Sequence, residues 1–226
     1  MRKTLRRIVI RPPHPGALYN FGNALGFAVG LALALGAASS SDEHLTLWER
    51  ALTHLVGSPS ALALTIATII FFWGGMVYGK AWSAGALTDP RLNRWGDMLS
   101  GIGAIVLGAG LTMLGDPWLA ASAGAMHALG KFGSALGSEA TAHLPAISER
   151  SEALFKDLVL VSRVPAILAS ATALWQELAS PQGVQGLLLA LSFMTCSIIW
   201  AAADWMLLSP RGWIRTTAAS FLTPKA

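Results

Sequence analysis

The chain has 226 residues, of which 54% are hydrophobic and only 12% charged, with a formal net charge of +4. A soluble domain carries roughly 25% charged residues, and half that share cannot coat a water-facing surface of this size. Together with a mean hydropathy of +0.54, this excludes a soluble globular domain and predicts an all-α, polytopic transmembrane bundle.

A helix needs about 20 apolar residues to cross a bilayer, so the spans are sought where Asp, Glu, Lys and Arg are missing. The first is expected at 17–38. It has a basic start and the small-residue sequence Ala37-Ala38-Ser39, but its apolar stretch exceeds the roughly 7–15 residues of a signal peptide. It is therefore read as a retained span. Between it and a second span at 61–78, apolar positions at 48, 51, 52 and 55 fit one helical face. That predicts a short helix lying along the outer interface, with Trp48 at headgroup level.

Asp97 and Asp116 bracket a third span at 98–115. The fourth, at 118–137, contains His127 and Lys131. The fifth, at 158–175, contains Arg163 and Pro165. For the last two the alternative is a re-entrant pair, which leaves the span number even. Before the fifth, the Pro145-Ala-Ile-Ser start and the mixed charges from Glu149 to Lys156 suggest a cytoplasmic helix leading into it. A sixth span is read at 184–208. The whole of 1–226 is one membrane domain.

Basic residues set the orientation. Arg2, Lys3, Arg6, Arg7 and Arg11 precede the first span. Lys80, Arg91 and Arg94 follow the second, and Lys131, Arg150 and Lys156 fall at or after the end of the fourth. Arg211, Arg215 and Lys225 follow the sixth. Outside the spans only Arg50 falls on the other side. By the positive-inside rule both termini are cytoplasmic and the location is the cell inner membrane.

Two patterns describe packing. Gly22, Gly26 and Gly30 make one smooth face on the first span. Gly96, Ser100, Ala104 and Gly108 make another on the third, and Ala120, Gly124 and Ala128 a further one on the fourth. Such faces allow close helix approach, either within the chain or to a partner or second copy. A faint internal repeat accompanies them. Leu18-Tyr-Asn-Phe-Gly-Asn-Ala-Leu and Leu92-Asn-Arg-Trp-Gly-Asp-Met-Leu share the pattern Leu-x-x-aromatic-Gly-Asn/Asp-x-Leu, each at the start of an outward-running span.

The ionisable residues at membrane depth form a candidate polar cluster: His127, Lys131, Arg163 and Asp204. A charge at the bilayer centre costs about 2.5–3.5 kcal/mol or more, so each must be paired or reach for the interface. Asp204 is expected to pair with Arg163 or Lys131. Lys and Arg near a helix end can instead snorkel to the headgroups.

Other chemistries have no support. The single cysteine, Cys196, cannot form an internal disulfide or a thiolate cluster. The remaining histidines lack metal-ligand spacing. There is no Walker loop, nucleophile elbow or H-E-x-x-H motif. Most of the nine tryptophans read as an interfacial belt. No enzyme, cofactor, metal or nucleic-acid partner is expected; membrane lipids and protein partners or a homo-oligomer are. Two functions remain. One is a structural or accessory subunit that packs through small-residue faces in a larger membrane assembly. The other is a small permease or channel for protons or an anionic solute, using His127, Lys131, Arg163 and Asp204.

Overall fold

A computed structural model describes residues 15–38, 44–83, 86–137, 149–181 and 183–208. The chain runs α1 (Pro15–Ala38), α2 (Leu47–Gly57), α3 (Pro59–Ala81), α4 (Pro90–Leu111), α5 (Pro117–Leu136), α6 (Glu149–Ala179) and α7 (Val184–Leu208). A two-residue antiparallel pairing of β1 (Trp82–Ser83) with β2 (Ala86–Leu87) joins α3 to α4.

Local chemistry fixes several starts. Pro59, Pro90 and Pro117 stand in the first turn of α3, α4 and α5, where the missing N–H costs nothing and the fixed φ already suits a helix. Asp89 caps α4 by accepting from the N–H groups of Arg91 and Leu92, and Asp116 caps α5 by accepting from that of Leu119. The short helix expected after the first span is α2. Its Thr46–Glu49 capping box is complete. Ala51 is buried against α1, while Trp48, Leu52 and Val56 face outward.

Four helices are long and apolar enough to cross a membrane: Pro15–Gly36, Pro59–Ala81, Ser151–Ala179 and Val184–Leu208. The other two long helices, α4 and α5, have 22 and 20 residues, about 30 Å at 1.5 Å per residue. They are less apolar because α4 carries Arg91, Arg94 and Asp97 and α5 carries His127 and Lys131. The third segment departs from its expected limits of 98–115. The helix begins eight residues earlier, at Pro90, and stops at Leu111; Met113, Leu114 and Gly115 form a turn. Asp97 is thus no boundary but a buried residue inside α4. The fifth segment is longer than expected too, since α6 is continuous from Glu149 through Pro165 to Ala179. Pro145 lies outside the described residues.

The six long helices pack as a ring. Each lies antiparallel against the next in chain order, and α7 closes on α1. The starts of α1, α4 and α6 and the ends of α3, α5 and α7 share one end of the bundle, called here the near end. Leu64, Leu107, Leu111, Phe193, Cys196 and Trp200 fill the middle, where Phe71 and Trp200 meet edge to face, centroids 5.2 Å apart.

The small-residue stripes lie where these helices touch. A methyl group on Gly26 would fall 2.6 Å from Thr68 Cγ2 of α3, and one on Gly108 only 3.0 Å from Gly124 Cα of α5. Where both surroundings are apolar, such close contacts replace the hydrophobic effect as the source of cohesion.

A third segment holds a place like those of the two in the expected repeat. Counting from Leu18, Leu92 and Leu158, a small residue follows four positions later (Gly22, Gly96, Ser162) and a polar one after it (Asn23, Asp97, Arg163). The stripes then continue as Gly26–Gly30, Ser100–Ala104 and Ala166–Ser170. Each begins against the preceding helix of the ring and ends against the following one. Gly22 meets Trp200 of α7 and Gly30 meets Thr65 of α3. Gly96 meets Tyr78 of α3, and the Ala104 carbonyl meets Gly124 of α5. Ser162 meets His127 of α5, and Ser170 meets Ser197 of α7. The bundle is three helical hairpins, α1–α3, α4–α5 and α6–α7, each neighbouring the next round the ring. The segment from Leu158 lacks the aromatic and final Leu of the pattern, having Val161 and Pro165 there, and so escapes a search by identity.

Candidate functional site

All six long helices place a polar side chain at one level of the near end. Around the ring the order is Arg163 (α6), Asp204 (α7), Tyr19 (α1), Tyr78 (α3), Asp97 (α4) and Lys131 (α5). Arg163 Nε donates to Asp204 Oδ2 at 2.5 Å. The Tyr19 hydroxyl donates to Asp204 Oδ1. The Tyr78 hydroxyl donates to Asp97 Oδ1 at 2.5 Å. Lys131 Nζ donates to that same Oδ1 and to the Tyr78 oxygen, both at 3.2 Å. Asn93 Nδ2 reaches Asp97 Oδ2 at 3.5 Å. The site is thus two trios of one composition, each a carboxylate shared between a tyrosine and a cation.

Burial is deep. Asp204 is 1% exposed and Asp97 6%. Two carboxylates at such depth are tolerable only because each faces a full positive charge and a hydroxyl donor.

Of the residues expected to form a cluster, Arg163 and Asp204 are in direct contact. Lys131 is committed to Asp97 instead, and His127 touches neither acid. Its Nδ1 lies 3.1 Å from Ser162 Oγ. The Ser162 hydroxyl has one hydrogen, and the Val159 carbonyl takes it at 2.6 Å. Ser162 therefore accepts from His127, which assigns a hydrogen to Nδ1. At the equivalent point of the α7–α1 seam, Trp200 Nε1 donates to Asn23 Oδ1 at 3.0 Å.

Three members, Tyr19, Tyr78 and Asp97, are absent from the cluster that the sequence suggests. Asp97 was legible in one respect, for the repeat puts it in register with Asn23. The tyrosines had no signal, because a phenol near a helix end also fits an interfacial ring.

The acids of the belt are fully served, but the cations are not. A guanidinium has five N–H groups. Only Nε of Arg163 is hydrogen-bonded among the described residues. Two hollows among the described residues lie elsewhere. One, at the opposite end, is lined by Met113, Leu114, Trp175 and Glu177, and the other is an apolar groove on the outer face between α1 and α3, lined by Phe27, Phe72 and Trp73. No three His, Cys, Asp or Glu side chains among the described residues converge as a metal site would require. No family model, curated protein or solved structure matches the chain.

Proposed function

We propose that the chain is a multi-pass inner-membrane protein of six spans with cytoplasmic termini, acting as an accessory subunit that packs against partners in a membrane assembly. The topology draws support from the near end, where Lys80, Arg91, Arg94 and Lys156 gather. The opposite end holds Arg50. The two trios support a structural role, since each buried carboxylate ties together a cation and a tyrosine from different helices.

The glycine stripes are not the partner-facing surface, because the chain's own helices cover them. The observation that carries the assembly reading is the other face of α1. Asn20, Ala24, Ala28, Ala32 and Gly36 recur every four residues and all face outward. A second helix can approach such a face closely, and the exposed Asn20 amide offers it a hydrogen bond. The test is mild detergent extraction followed by identification of what co-purifies or self-associates. Ala28→Leu is expected to abolish that association while leaving the fold intact. A wild-type protein that extracts alone and monomeric overturns the reading. Reporter fusions after Ala226 and Ser58 test the topology separately, with external activity expected only at Ser58.

A second reading, a small permease or channel for protons or an anionic solute, is favoured by the unspent N–H donors of Arg163 beside Lys131 and His127.

A further inference from the structure

The three seams that start the small-residue stripes are equivalent in position but not in chemistry. At the α7–α1 seam a donor meets an acceptor, Trp200 to Asn23. At the α3–α4 seam Tyr78 meets Asp97 in the same way. At the α5–α6 seam the position of Asn23 and Asp97 belongs to Arg163, which cannot accept anything. His127 across the seam spends Nδ1 on Ser162.

The spare donors of the belt belong to the two helices of this seam, Lys131 on α5 and Arg163 on α6. The Nη groups of Arg163 bring up to four N–H, and Lys131 has one left after serving Asp97 and Tyr78. Both side chains are accessible, with 12% and 14% of their surface exposed. Of the Arg163 donors Asp204 takes Nε, and its other oxygen accepts from Tyr19.

We propose that the α5–α6 seam binds a phosphate-class oxyanion, held by the Nη groups of Arg163 and the Nζ of Lys131. A planar guanidinium fork matches two oxygens of such a group, and an ammonium beside it adds a point charge. The depth suits the same ligand. Lys131 precedes the last residue of α5, Leu136, by five positions, about 7.5 Å along the axis. Asp204, which fixes Arg163, precedes the last residue of α7, Leu208, by four, about 6 Å. Long basic side chains at that depth reach the headgroup layer. Basic pockets between helices on the cytoplasmic side take phosphate headgroups in this way. The phosphate of an anionic lipid and free phosphate share this chemistry. The proposal rests on the six-span topology only for the side of the membrane that the seam faces, and binding in detergent does not depend on that side, so the reporter fusions and the binding test fail separately.

The test measures thermal unfolding of the full chain in a non-ionic detergent. One arm compares inorganic phosphate with chloride at equal ionic strength. The other compares short-chain phosphatidylglycerol with phosphatidylcholine. A saturable rise in Tm in the first arm identifies a free ion, and a rise confined to the second identifies a headgroup. Arg163→Lys keeps one donor for Asp204 but removes the fork, and is expected to weaken the apparent affinity by about tenfold or more. Wild-type protein inert in both arms overturns the proposal, as does Arg163→Lys that binds like wild type. If Arg163→Lys does not fold, Lys131→Gln with Asp97→Asn removes that ion pair as a pair. Binding must then weaken likewise, and unchanged binding overturns the proposal.

Discussion

The two ends of the bundle use their acidic residues in opposite ways. At the near end the contacts of the belt join different helices, apart from that of Asn93 with Asp97 inside α4. Tyr19 and Asp204 are 185 residues apart, Arg163 and Asp204 41, Lys131 and Asp97 34. At the opposite end the polar contacts are mostly local caps. Thr46 and Glu49 are three residues apart, as are Asp116 and Leu119. Long-range pairs fix how helices rotate against one another, and a loss there spreads through the ring. A cap satisfies backbone groups of one helix, and its loss stays in that helix. The contrast predicts a steep ranking of mutational effects from one end to the other.

The largest effect belongs to Asp204→Asn. It strands Arg163 beside a buried site, and removing one member of a buried pair costs about 3–5 kcal/mol. Arg163→Gln in the same chain should then add little, so the double-mutant cycle is strongly coupled. Denaturant unfolding in detergent measures both. Additive effects would break the claim that the near end is held by pairs. Asp97→Asn should cost less, about 1–3 kcal/mol, because Lys131 keeps the Tyr78 oxygen and its flexible stem can reach the headgroups.

Midway between the ends, packing replaces polarity. Gly26→Leu should destabilise by about 1–3 kcal/mol through overpacking, for even a methyl group there meets Thr68 and Leu64. Gly36→Leu, in the same helix and with nothing within 4 Å of its added Cβ, should leave unfolding unchanged. Similar losses for the two would show that the inward stripe of α1 is not a contact.

This gradient also explains what the sequence disclosed. Helix number, α2 and the inward stripes are properties of composition and periodicity, which every residue of a segment reinforces. Asp97 failed because a search for charge-free stretches treats any acid as a boundary. A bilayer excludes net unpaired charge, and an Asp that brings its own Lys131 and Tyr78 passes the same barrier. Those partners lie 34 and 19 residues away, beyond any local pattern. The likeness of the segment from Leu158 to the repeat was hidden for a related reason. Its equivalent residue is Arg163, and only geometry shows that an amide, an acid and a base occupy one position in three hairpins.

The smallest effect is expected at α2, and pH resolves it. The Thr46 hydroxyl and backbone N–H donate to the Glu49 carboxylate at 2.7 and 2.8 Å. These bonds hold its carboxyl below the ordinary value of 4.5, because they favour the ionised form. A group whose pKa is lowered on folding contributes stability that is complete above its unfolded value. That contribution fades as pH falls through the folded value. Thr46→Ala should therefore unfold slightly earlier than wild type near neutral pH, by less than any variant above. The difference should narrow as pH falls below 4.5, where protonated Glu49 no longer completes the cap in either protein. Thermal unfolding of both across that range measures it. A gap independent of pH would place the effect in the Thr46 hydroxyl's own bond to the Glu49 N–H rather than in the carboxylate. A loss as large as that of Asp204→Asn would end the contrast between the two ends.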